Sequence, residues 1–83
     1  MNEKLTLNDG TELNGHVRET LSGLYVYTFG AILADVFAVM NDPEKTKVIK
    51  SEENGAKKTI RGYKHLRAIS EEMGGMICTV LTK

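Results

Sequence analysis

The chain has 83 residues, a single cysteine, and 11 basic side chains balanced by 11 acidic ones, so its formal charge is zero. That length reads as one domain, residues 1–83, whose fold covers only roughly 60–65% of the unfolded surface. One cysteine excludes an internal disulfide, and neutral charge argues against an acidic DNA mimic and against a general nucleic-acid binder.

Met1 to Thr6 is polar and lacks the apolar core of a secretory signal, which leads us to expect a cytoplasmic protein. Asn8-Asp9-Gly10-Thr11 then reads as a turn between Leu5-Thr6-Leu7 and a second strand, Glu12 to Glu19. Leu13 and Val17 can share one face of that strand. Leu24 to Phe29 is a further strand, with Tyr25, Tyr27 and Phe29 on one face and Leu24 and Val26 on the other.

A helix is expected over Ala31–Met40, because Leu33, Val36, Phe37 and Met40 fall at helical spacing and Pro43 stops it. The stretch from Phe29 to Met40 is far shorter than the ~20 apolar residues a bilayer needs. Asp35 is the only charge on the helix, and one that is apolar all round is normally buried all round. A single layer of sheet covers one side only. Ile32, Val36 and Val39 are therefore read as a contact with a second subunit, unless loops cover them. Asp42 to Thr46 reads as one short helical turn, with Asp42 as cap and Pro43 in the first position.

Two more hairpins follow. Asn54-Gly55 joins Lys47–Glu52 to Lys57–Arg61, and Met73-Gly74-Gly75 joins Lys64–Glu71 to Met76–Leu81. The expected fold is α+β: a mainly antiparallel sheet of about five or six strands, built from hairpins, with one apolar helix packed on it.

Enzyme signatures are absent from the sequence. Gly74-Gly75 leads into a strand rather than a Lys and a helix, and no nucleophile elbow surrounds Ser22, Ser51 or Ser70. Glu52-Glu53 and Glu71-Glu72 are neighbours whose side chains point to opposite faces of a strand, so neither converges as an acid/base pair. His16 reads as a surface residue and Cys78 as a small buried hydrophobe. His16, His65 and Cys78 match no zinc spacing, and neither a metal nor a cofactor is expected.

The most informative local feature is the window from Asn54 to Ser70. It contains no acidic residue and holds Lys57, Lys58, Arg61, Lys64 and Arg67 together with His65. Arginine supplies a planar fork for phosphate, Tyr63 a stacking surface, and Gly62 close access to backbone amides. Arg61, Tyr63, Lys64, His65 and Arg67 are thus the candidate ligand-binding residues. The bland alternative is an edge strand protected from aggregation by its charges.

Three stretches carry a resemblance. They are Leu5-Thr6-Leu7-Asn8-Asp9-Gly10-Thr11, the run from Ala38 to Thr46 ending Asn-Asp-Pro-Glu-Lys-Thr, and Gly62-Tyr63-x-x-Leu66-x-x-Ile69 with the closing Leu81-Thr82-Lys83. In these the chain resembles short uncharacterised proteins encoded by phages and prophages of Gram-positive bacteria. The similar proteins often carry Thr at the position of Lys64, which weakens the case for that residue. The resemblance implies a phage protein acting in the host cytoplasm. It says little about activity; for a phage protein of this size, the apolar helix and the Asn54–Ser70 window favour a non-enzymatic inhibitor of bacterial immunity that sequesters a phosphorylated nucleotide-like signal molecule in a homo-oligomer. A small tail or virion accessory, or an inhibitor that binds a host defence protein directly, is the alternative.

Overall fold

A computed structural model describes residues 3–42, 44 and 47–83. Seven strands form one antiparallel sheet: β1 (Glu3–Thr6), β2 (Glu12–Thr20), β3 (Gly23–Phe29), β4 (Lys47–Glu53), β5 (Ala56–Tyr63), β6 (His65–Glu72) and β7 (Met76–Thr82). One helix, α1 (Leu33–Met40), lies between β3 and β4. The α+β class and the antiparallel sheet hold, but the strand number is seven rather than five or six. Every alternating run finds a partner, so none is left over as loop.

The turn chemistry explains the hairpins. Asn54 and Gly55 both take positive φ (52° and 83°), the backbone a two-residue hairpin loop requires. Asp9 Oδ1 accepts the Thr11 amide at 3.0 Å, and Asp9 Oδ2 accepts the Thr11 hydroxyl at 2.8 Å. These bonds hold the Asp9 carboxyl below its usual range, although it is fully exposed. Gly15 is needed for space: a Cβ there would stand 2.2 Å from the Tyr27 carbonyl oxygen and 2.6 Å from Leu5 Cδ1.

Strand order is β5-β4-β1-β2-β3-β7-β6. The two edge strands, β5 and β6, are thus consecutive in the chain with Lys64 alone between them. The sheet satisfies this by curling until its edges meet at that corner. Cross-barrel contacts follow from the curl. Lys58 on β5 reaches Glu19 on β2 at 3.6 Å, and the Tyr63 hydroxyl donates to the same carboxylate at 3.1 Å. Bulges between Lys47 and Ile49 and between Leu66 and Ala68 bend β4 and β6 beside the corner.

The inside of the curl is the core: Leu5, Leu24, Val26, Ile49, Ile60, Ile77 and Leu81, with Val36 and Met40 of α1. The helix starts later than expected, because Ile32 keeps extended backbone (φ −94°, ψ 135°) and sits at the N-cap. Its stripe is also narrower. Val36 and Met40 are buried and Leu33 packs against the core, whereas Phe37 is 43% exposed. The short helical turn expected over 42–46 includes Pro43, Lys45 and Thr46, which lie outside the described residues. Of that segment, Glu44 donates its amide to Asp42 Oδ1 at 3.0 Å.

Candidate functional site

Alternation along β3 sends Leu24, Val26 and Thr28 into the core and Tyr25, Tyr27 and Phe29 outward. Strand register extends this outer face sideways into three rows. Arg18, Tyr25, Val80 and Ala68 form one; His16, Tyr27, Cys78 and Ser70 the next; Asn14, Phe29, Met76 and Glu72 the third. A solvated sheet face is usually polar, so three aromatic rings in a column are out of the ordinary there.

Beside the first row lies a shallow cavity of about 290 Å³ lined by Arg18, Thr20, Ser22, Tyr25 and Tyr27. The β2–β3 turn that closes it is internally bonded: Thr20 Oγ1 donates to the Gly23 carbonyl at 3.1 Å and accepts the Ser22 amide at 3.2 Å. Arg67 reaches this turn from β6, and its Nη1 donates to the Ser22 carbonyl at 3.3 Å. One guanidinium, Arg18, thus lines a small cavity with aromatic rings and hydroxyls, and a second, Arg67, bonds the backbone of the lining residue Ser22. That set can hold a phosphate by charge-assisted hydrogen bonds and a base by stacking.

Two larger grooves suit an anion less well. One of about 530 Å³ between the β1–β2 hairpin and α1 is mostly apolar, and its charged lining is Asp9 and Asp35. The other, about 450 Å³ on the outside of β1, β4 and β5, has Lys4, Lys50, Lys57 and Lys58 but no ring. Two of its lysines are also engaged: Lys4 lies 3.8 Å from Glu12, and Lys58 lies 3.6 Å from Glu19.

The five residues singled out in the sequence do not form one site. Arg61 stands exposed on β5, while His65 and Arg67 are exposed on β6. Both strands are sheet edges, as the protected-edge alternative requires. Lys64 occupies the corner, where its amide donates to the Thr82 carbonyl at 2.8 Å. Tyr63 is only 5% exposed. Burial and the hydrogen bond to Glu19 push its hydroxyl above the usual value. With Lys83 Nζ 5.4 Å above its ring, Tyr63 is too enclosed to stack a base, and the cavity it lines with Leu21, Thr82 and Lys83 is a different one. Of the predicted set, Arg67 alone is shown reaching the rim of the aromatic cavity.

The sequence reading overlooked Arg18, Thr20, Ser22, Tyr25 and Tyr27. Their signal was present as the one-faced alternation of Tyr25, Tyr27 and Phe29, but nothing local said which face met solvent. Of the residues read as an interface, Ile32 is 67% exposed, Val39 is half-buried against the core, and Val36 is spent inside this chain's own core. Cys78 lies half-buried on the outer face, where burial and the nearby Glu72 charge raise its thiol. His16 is exposed, stacks on Tyr27 with centroids 6.2 Å apart, and has Nδ1 2.8 Å from Glu3 Oε1.

Among the described residues no group of three or more His, Cys, Asp or Glu is placed to hold a metal ion. No helix among them is long and apolar enough to cross a membrane. No protein-family model, curated protein or solved structure matches the chain.

Proposed function

We propose that this protein is a non-enzymatic binding module that sequesters a phosphorylated, nucleotide-like molecule. The observation that carries the reading is Arg67 bonded to Ser22 at the rim of the cavity lined by Arg18, Tyr25 and Tyr27. Arg18 and Arg67 take the phosphate, Tyr25 and Tyr27 take the base, and Ser22 Oγ, bonded to the saturated Thr20 hydroxyl at 2.9 Å, accepts from the sugar. Nothing in this set is a nucleophile paired with a base, so the ligand leaves unchanged. With the resemblance to phage-encoded proteins, the reading becomes a sponge in the bacterial cytoplasm that removes an immune signal.

The test is a depletion-and-release assay. Purified protein is mixed with a panel of cyclic nucleotides and NAD-derived compounds, filtered, then denatured. A compound that disappears from the filtrate and returns intact supports sequestration. Return as a new compound means catalysis. Depletion of none of them, or equal depletion by the folded Arg18→Ala and Arg67→Ala variants, overturns the reading.

A second reading, a protein that binds a virion component or a host defence protein, draws on a different observation. Ile32 at the N-cap of α1 and Phe37 within it leave apolar surface exposed. The same surface supports the proposal of a homo-oligomer. Mass spectrometry of purified virions separates the accessory role from the sponge, since only an accessory is retained in particles.

A further inference from the structure

We infer that the ligand is a short single-stranded oligonucleotide, two or three linked nucleotides, laid along β3 from Tyr25 to Phe29. The inference rests on the nucleotide reading above and names the ligand class more narrowly.

Tyr25, Tyr27 and Phe29 occupy successive outward positions of one strand, so their rings repeat at about 6.6 Å, twice the strand rise. The cavity beside Arg18 uses only the first two rings. Phe29 lies beyond it, is 43% exposed, and has no role in the core. A column of rings accepts successive bases without reading their sequence, because every base presents a π-face.

The neighbouring columns are graded to match. On the β2 side stand Arg18, His16 and Asn14; His16 is held by Glu3 at 2.8 Å, and Lys4, beside Asn14, by Glu12 at 3.8 Å. Arg18, which lines the cavity, is the cation this side offers to one phosphate of the backbone. On the β7 side stand Val80, which is buried, and the half-buried Cys78 and Met76, which offer apolar contact to base edges. The carboxylate within the three rows is Glu72, in the column farthest from β2, and Glu3 brings a second one 2.8 Å from His16. Duplex binders need a broad basic surface, and a chain of zero net charge does not provide one. A short strand held by stacking needs only a few cations.

Linear fragments and cyclic oligonucleotides share this chemistry, and the experiment separates them. Of the three tyrosines Tyr25 and Tyr27 lie on this face, Tyr63 is buried away from it, and there is no tryptophan, so the ligand-dependent change in tyrosine fluorescence reports on the face. The protein is titrated with AMP, linear tri-adenylate and cyclic di-adenylate. Tri-adenylate or cyclic di-adenylate is expected to bind at least about ten-fold tighter than AMP, the stacking gain of one added base or more. Phe29→Ala should remove at least about five-fold from linear tri-adenylate and leave AMP within two-fold, and Phe29→Tyr should restore it. A preference for the cyclic compound over the linear one assigns the source as a cyclic signal; the reverse assigns a linear fragment. Equal affinity for all three, or equal weakening of AMP and tri-adenylate by a folded Phe29→Ala, overturns the extension but spares the nucleotide site. Binding of none of them overturns both.

Discussion

The buried ammonium of Lys47 donates to the carbonyl oxygen of Lys64 at 2.6 Å and to that of Asp42 at 2.5 Å. Lys47 is 1% exposed, and it ties β4 both to the segment after α1 and to the corner where β5 becomes β6. Burial is the main reason its pKa falls below the usual value, with Lys64 adding like-charge repulsion against the attraction of Asp42. Lys47→Met keeps the apolar stem and deletes the donor, leaving two part-buried carbonyls short of a partner. It should lower unfolding free energy by about 1–3 kcal/mol. Urea denaturation will show this as an earlier midpoint with an unchanged slope.

Thr79 offers the opposite case. Its side chain is fully buried in the curl, and among the described residues its hydroxyl has no hydrogen-bond partner. Thr79→Val has nearly the same shape and removes the unsatisfied group. It should stabilise the fold by roughly 1 kcal/mol. The same urea titration measures the gain, and a loss would mean the hydroxyl has a partner in solution.

Glu3 makes stability depend on acid pH. Burial disfavours its charge, but hydrogen bonds from Ser51 Oγ (2.5 Å) and His16 (2.8 Å), with the His16 charge and the Val17 amide, outweigh that. Its folded pKa therefore lies below the usual 4.5. A depressed carboxylate contributes stability above its unfolded pKa, and loses it as pH falls through the folded value. Unfolding free energies of the parent and Glu3→Gln should thus differ most near neutrality and converge below the usual value. A gap that stays constant from pH 7 to strongly acid conditions would contradict this assignment (the pH range is roughly that over which carboxylates titrate).

The exposed flank of α1 supplies the test of self-association. Ile32 is the most exposed large apolar residue beside the helix and lies at its N-cap, where a negative charge does not oppose the helix dipole. Ile32→Glu should convert an oligomer to monomer in sedimentation velocity while the far-ultraviolet circular dichroism stays as it was. A parent protein that sediments as a monomer at the concentrations used for ligand depletion removes the oligomer from the proposal.

Much of the architecture was local enough to be read in the sequence. Asp9-Gly10, Asn54-Gly55 and Gly74-Gly75 mark turns because few residues other than glycine and asparagine take positive φ at low cost. Period-two alternation placed Tyr25, Tyr27 and Phe29 together on one face, and helical spacing placed Val36 and Met40 together on another.

The tertiary structure decided the rest, because the deciding contacts join residues far apart in the chain. Tyr63 was read as a stacking surface, but Glu19, 44 residues earlier, binds its hydroxyl inside the curled sheet. Arg67 was one cation among several until the closure of β6 on β7 brought it to Ser22, 45 residues away. Sequence alone determined which side chains share a strand face. Which face meets water, and which cations meet at its end, was settled by the curl of a sheet whose first and last strands are neighbours in the chain.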